Sequence, residues 1–110
     1  LQRVQISKKD LVLQQLQAQE NASHQVQTAM EQVYESFEIA QARKEAVAQA
    51  SEGYNRAQIR LDNGLGSTLE LTEALLQVKE AELNYAQTVF SYLTAKANYD
   101  LAIGRVPLVD

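Results

Sequence analysis

Apolar residues return at every seventh position along the first half of the chain: Val26, Val33, Ala40, Val47, Tyr54 and Leu61, with Met30 and Phe37 in a neighbouring register. That spacing places them along one side of an α-helix and holds for many turns. Between about Val4 and Asp62 there is no proline and a single glycine, Gly53. Ala, Gln, Glu, Leu, Lys and Arg fill most of the remaining positions, and all favour helix. The pattern predicts a helix over about residues 4–62. A straight helix of that length would run about 85 Å at about 1.5 Å per residue. A compact domain of this size is only roughly 30 Å across, so the helix is expected to be a rod.

The pattern breaks in LDNGLGSTLEL, Leu61–Leu71, where two glycines, an asparagine and a serine crowd together. Gly64, alone or with Asn63, can take the left-handed conformation that closes a helix. Ser67 followed by Glu70 is a capping box: the hydroxyl can accept from the Glu70 amide while the carboxylate reaches back to the Ser67 amide. A turn over residues 63–66 is therefore expected, then a second helix over about 67–103. Gly104 ends it and Pro107 prevents its continuation, leaving a tail over 104–110. The expected fold class is all-α: residues 1–110 as one long antiparallel helical hairpin, coiled-coil-like in its packing. The first arm outruns the second by roughly 20 residues, so residues before about Val26 need a partner that the second helix does not supply.

The second helix carries two apolar stripes. Leu71, Val78, Tyr85, Tyr92 and Tyr99 form one, and three residues after each come Ala74, Ala81, Thr88, Ala95 and Ala102. Large and small residues alternate along that seam, as knobs meeting close-packed holes do. Leu69, Leu76, Leu83, Phe90 and Ala97 form the other stripe. An offset of two residues turns about 200° around a helix, so the stripes lie on nearly opposite sides. Between them runs a polar face: Glu70, Glu73, Gln77, Glu80, Asn84, Gln87, Ser91, Thr94 and Asn98. The remaining face is mixed: Leu75, Lys79, Glu82, Val89, Leu93, Lys96 and Asp100. A helix of a solid bundle points one broad apolar face at the core. Two stripes flanking a wet face suit a stave in a hollow cylinder, and periodicity also admits an ordinary bundle helix with tyrosines at its edges.

Composition narrows the chemistry. The chain is 45% hydrophobic and 22% charged, which is not the composition of a disordered segment. The apolar share leans on alanine, with five Tyr, two Phe and no Trp, so helices can approach closely around a thin core. The net charge of −4 comes without any basic run, and nucleic acid is not an expected partner. The absence of cysteine excludes disulfides and Cys-ligated metals and leaves the compartment open. No apolar run approaches the roughly 18 to 20 residues of a membrane-spanning helix. The start, LQRVQISKKD, has no apolar segment of the kind a signal peptide carries. The lack of an initiator Met fits an excised or processed piece. His24 stands alone in a Gln-rich segment with no ligand spacing around it, and NGLGS lacks the lysine and preceding strand of a phosphate loop. No enzyme, metal or cofactor is expected.

The stretch YNRAQIRLDNGLGSTLELTEALLQVKEAELNYAQTVFSYLTAKANYDLAIG resembles the C-terminal half of the outer-membrane efflux protein family, the TolC-like exit ducts. Tyr54, Gly64, Ser67, Leu71, Ala74, Leu83, Ala86, Tyr92, Ala97, Leu101 and Gly104 fill the places that carry the likeness, which covers about residues 20–104. The resemblance implies a homotrimer whose protomers give strands to an outer-membrane barrel and long helices to a periplasmic tunnel. This chain would be a hairpin of that trimeric α-barrel, in the periplasmic portion, touching the membrane only through parts outside it. The hairpin turn would meet the helical tip of a periplasmic adaptor protein, which joins the duct to an inner-membrane pump.

The likeness assigns roles by position. Gly64, Leu65, Gly66, Ser67 and Thr68 occupy the adaptor-binding tip, where a glycine turn lets another backbone approach and Leu65 is an apolar knob. The alternative for Asn63-Gly64 and Leu65 is a plain helix stop with a hydrophobic cover. Glu70 and Glu73 match acidic positions that face the pore and begin the polar face that Gln77 and Glu80 continue. In a trimer they would gather carboxylates around one axis, which attracts cations; alternatively, Glu70 only completes the capping box and Glu73 is a solvated charge near a helix start. The family often has Asp at these acidic positions and an arginine or other polar group in the turn, where this chain has Gly66; Arg56 and Arg60 are the nearest substitutes. Two other functions stay open: a freestanding helical oligomerisation module that uses both stripes, and the hairpin of the adaptor itself. The glycine-rich turn and the closing LAIG favour the duct.

Overall fold

The computed structural model describes residues 2–104, with side chains from Ser7 onward. The described residues form two helices, α1 (Gln2–Asp62) and α2 (Thr68–Gly104), and no strands. The chain is thus an all-α helical hairpin joined by residues 63–67. α1 is 61 residues long and α2 is 37. Pro107 and the rest of the expected tail after Gly104 lie outside the described residues.

The connection is set by backbone hydrogen bonds at both of its ends. The Gly64 amide donates to the Leu61 carbonyl at 3.0 Å, and the Leu65 amide donates to the Arg60 carbonyl at 2.7 Å. These two bonds make a Schellman motif, which satisfies carbonyls that the end of α1 would otherwise orphan. It requires a left-handed residue, and Gly64 has φ +75°. Asn63 does not share that conformation: both positive-φ residues of the described chain are glycines, Gly64 and Gly66, the latter at φ +80°. At the start of α2, the Glu70 amide donates to Ser67 Oγ at 3.2 Å, the first half of the capping box. The Glu70 carboxylate curls back over Gly66, where a Cβ would stand 2.8 Å from its Oε2.

Two compact units make up the chain. The tip unit, Tyr34–Leu93, contains the turn. Its seam joins Ala40, Val47, Ala50, Tyr54, Ala57 and Leu61 of α1 to Leu71, Ala74, Val78, Ala81, Tyr85, Thr88 and Tyr92 of α2, all at least half-buried. Val78 lies deepest, 8% exposed. The Phe37 and Tyr92 rings meet at a centroid distance of 6.0 Å, tilted by 55°, within the favourable range for aromatic pairs. Thr88 tolerates its place in the seam because its hydroxyl donates to the Asn84 carbonyl one turn back.

The end unit comprises Leu1–Val33 and Thr94–Asp110. Its seam is built from smaller residues: Ala22, Val26, Ala29 and Val33 of α1 with Ala95, Tyr99 and Ala102 of α2. Ala29 and Ala95 are each 7% exposed. Upstream of Ala22 the described α1 residues are exposed, apart from the half-buried Gln19.

Candidate functional site: the hairpin tip and the outer faces of α2

The tip is exposed throughout. Residues 62–70 all lie on the surface, and Leu65 is 60% exposed. A Schellman motif often buries its final apolar residue against the residue five positions back in the chain. Here that residue is Arg60, and the preceding Ile59 is itself 59% exposed. Leu65 therefore stands out as an apolar side chain on a rigid glycine turn rather than as a cover for the helix end. Nothing lies within 4 Å of where a Gly64 Cβ would be, so backbone φ, not space, holds glycine there. Thr68 opens α2 and accepts from the Thr72 hydroxyl through its carbonyl at 2.9 Å.

Glu70, Glu73, Gln77 and Glu80 are all exposed and line one side of the first turns of α2. Glu70 is the acidic residue of the first turn, where the helix dipole favours a negative charge. Its fold back over Gly66 gives it a local job as well as a place on the strip. Among the described residues, Arg56 and Arg60 form no ion pair with these carboxylates; the ion pair present is Lys79–Glu82, at 3.6 Å on the mixed face.

The two apolar stripes of α2 differ in what surrounds them. Leu71, Tyr85, Tyr92 and Tyr99 are half-buried and Val78 is buried, each within the seam of its own unit. Leu69, Leu76, Leu83 and Phe90 are 60–73% exposed. The face of α1 opposite its seam is different in kind: within the tip unit it carries Glu38, Glu45 and Glu52, all exposed. On its mixed side the tip unit has a shallow groove lined by Phe37, Ala40, Gln41, Tyr85, Val89, Tyr92 and Leu93.

Two features of the tip were not readable as sequence: the left-handed Gly66, and the Glu70 carboxylate lying over it. A second glycine two residues after Gly64 was the available signal. His24 lines an open groove of mixed character with Gln25, Thr28, Ala29, Gln32, Asn98, Leu101 and Ala102 in the end unit. Among the described residues no cluster of His, Cys, Asp or Glu could hold a metal, and no helix is long and apolar enough to cross a membrane. No protein family, curated protein or solved structure matches the chain.

Proposed function

We propose that the chain is a wall segment of a trimeric α-barrel: the periplasmic hairpin of an outer-membrane efflux or secretion duct. In this reading it docks an adaptor protein at its tip and lines the export channel with one face of α2. The observation that carries the reading is the order of surfaces around α2. A seam already covered by α1 is followed by the strip Glu70, Glu73, Gln77 and Glu80, then by an apolar stripe on which Leu69, Leu76 and Leu83 are 60–67% exposed.

A helix with two such lines requires a neighbour on each flank. In a four-helix bundle the two contact lines of a helix stand roughly 90° apart around it. Here the outer stripe falls about 170° from the middle of the seam, at about 100° per residue. Nearly opposite contacts make a nearly flat wall, as in a wide ring of many helices, and leave the polar strip on one surface of that wall. The tip geometry agrees: Gly64 and Gly66 keep the turn narrow, and Leu65 offers an apolar contact beyond it.

Conductance of the full-length trimer in a planar bilayer tests this reading. Glu70→Gln with Glu73→Gln should lower cation selectivity. Identical selectivity, or a full-length protein that forms no channel, would remove the duct assignment.

One observation favours a second reading, a freestanding oligomerisation module. The outer face of α1 is acidic at Glu38, Glu45 and Glu52, so only α2 carries an apolar outer line there. Two copies could pair α2 against α2 and close as a two-fold dimer. A discrete dimer of the chain alone, together with a channel-free full-length protein, would establish that reading instead.

A further inference from the structure

The turn places an asparagine directly before the glycine that closes α1. Asn63 and Gly64 are both exposed, and nothing lies within 4 Å of where a Gly64 Cβ would stand. Asparagine followed by glycine carries its own chemistry. The side-chain amide carbon of the first residue can be reached by the backbone nitrogen of the second, and glycine has no side chain to block that approach. The chain's other asparagines, Asn21, Asn55, Asn84 and Asn98, lie inside α1 or α2 and each precedes a residue with a side chain. The amides that follow them are committed to helix hydrogen bonds.

We propose that Asn63-Gly64 is a self-modification site at the hairpin tip, gated by the turn's own hydrogen bonds. The Gly64 nitrogen attacks Cγ of Asn63. The new N–Cγ bond closes a succinimide ring, and the Cγ–Nδ2 bond breaks. The side-chain nitrogen leaves as ammonia and takes with it the proton that Gly64 loses. Water then opens the ring. Attack at Cγ leaves an ordinary aspartate. Attack at the main-chain carbonyl carbon leaves isoaspartate, with the backbone running through the former side chain. Nothing is oxidised or reduced, and the net exchange is water for ammonia.

The folded turn holds this reaction back. The Gly64 amide donates to the Leu61 carbonyl at 3.0 Å. That bond keeps on Gly64 the proton that attack must remove, and it aims the N–H at Leu61 instead of leaving the nitrogen to turn toward Asn63. The Asn63 amide is tied as well, donating to the Ile59 carbonyl at 3.1 Å. Reaction therefore requires the turn to open locally, and an exposed tip opens at lower cost than a packed seam. Neither product restores the original turn. Isoaspartate adds a carbon to the backbone between the Leu61 carbonyl and the Gly64 amide, so the Schellman pair loses its register. Aspartate keeps the register but puts a carboxylate beside Asp62 at the C-terminal end of α1, where the helix dipole disfavours it. The modification turns a rigid glycine turn into a looser and more acidic one. The inference does not rest on the duct reading.

Ageing the full chain in neutral buffer tests it, read by peptide mass mapping and by isoaspartate-specific methyl labelling. Asn63 should convert to a mixture of aspartate and isoaspartate while Asn21, Asn55, Asn84 and Asn98 stay intact. Urea that unfolds the hairpin should speed the conversion several-fold. So should Val78→Asp without urea, since it loosens the seam and leaves Asn63-Gly64 unchanged. Asn63→Gln should abolish the isoaspartate signal. Chain enriched in the isoaspartate form should exchange its Gly64 and Leu65 amides several-fold faster than fresh chain, with exchange at Val78 and Ala81 unchanged. Equal conversion rates in buffer and in urea overturn the gate. An Asn63 that survives unfolding, or faster loss at another asparagine of the folded chain, overturns the site. Unchanged exchange at the tip after conversion overturns the effect on the turn. None of these results bears on channel conductance, so the site and the duct stand or fall separately.

Discussion

Leu76 and Val78 stand two residues apart on α2 and share the same seven-residue repeat, yet Leu76 is 64% exposed and Val78 is 8% exposed. The difference is not hydrophobicity, since both stripes are strongly apolar. It lies in what α1 can offer. The seam side of α1 alternates Val and Tyr with Ala, which lets the helices approach and interlock with Leu71, Val78, Tyr85 and Tyr92. A hairpin has one inside, so whichever α2 stripe faces α1 leaves the other outside. A small residue three positions after each seam knob, alanine in every case but Thr88, makes that side the closer fit, because small residues open the holes that knobs need. At the equivalent offset Leu69 and Leu76 have a polar and a charged companion, Thr72 and Lys79, and only Leu83 has an alanine, Ala86.

The comparison is sharpest where substitution should separate the two stripes. The largest effect is expected at Val78→Asp. Placing a carboxylate in the covered seam without a partner should destabilise the hairpin by about 3 kcal/mol or more, read as a lowered urea midpoint with loss of helical circular dichroism. A wild-type midpoint would mean that the seam is not a core.

Gly64→Ala should cost about 1 to 2 kcal/mol, because an L side chain is forced into the left-handed region at φ +75°. Gly66→Ala should cost about as much for the same reason, with its Cβ also displacing the Glu70 carboxylate. Both variants should remain helical. A neutral Gly64→Ala would show that the turn can reopen into another geometry.

The smallest effect on folding is expected on the outer stripe. Leu76→Gln with Leu83→Gln should change the unfolding free energy of the monomeric chain by no more than about 0.5 kcal/mol per site. The same double variant should weaken self-association in sedimentation velocity. A large loss of folding stability at constant low concentration would place these leucines inside the hairpin, and unchanged association would leave the outer stripe without a role in assembly.

Much of the fold was legible because helices advertise themselves locally. The apolar repeat from Val26 to Leu61, the glycines after Asp62 and the Ser67–Glu70 pair each act over a few residues, and the structure places α1, the Schellman turn and the α2 cap accordingly. The site was less legible. Residue types alone leave two parts open for Leu65: a hydrophobic cover or an exposed knob. The answer depends on Arg60 standing where an apolar partner would be and on a turn that points Leu65 outward. Glu70 likewise reads as a capping residue or a pore residue, and its position over Gly66 is a matter of side-chain packing that spacing does not encode. The covered fate of one stripe and the open fate of the other had no signature in periodicity, since both repeat every seven residues.

What the sequence determined by itself is the set of local structures: two long helices, one glycine turn between them, a capped start to α2, and two apolar lines separated by a wet strip. These follow from backbone propensity, capping and the 3.6-residue turn, which act between near neighbours. Only the tertiary structure showed that the line followed by small residues is the one α1 covers, that Leu65 stays in solvent, and that α1 upstream of Ala22 keeps its leucines exposed. Those outcomes depend on the shape of a second surface brought close from far along the chain, and shape complementarity is a property of the pair rather than of either helix.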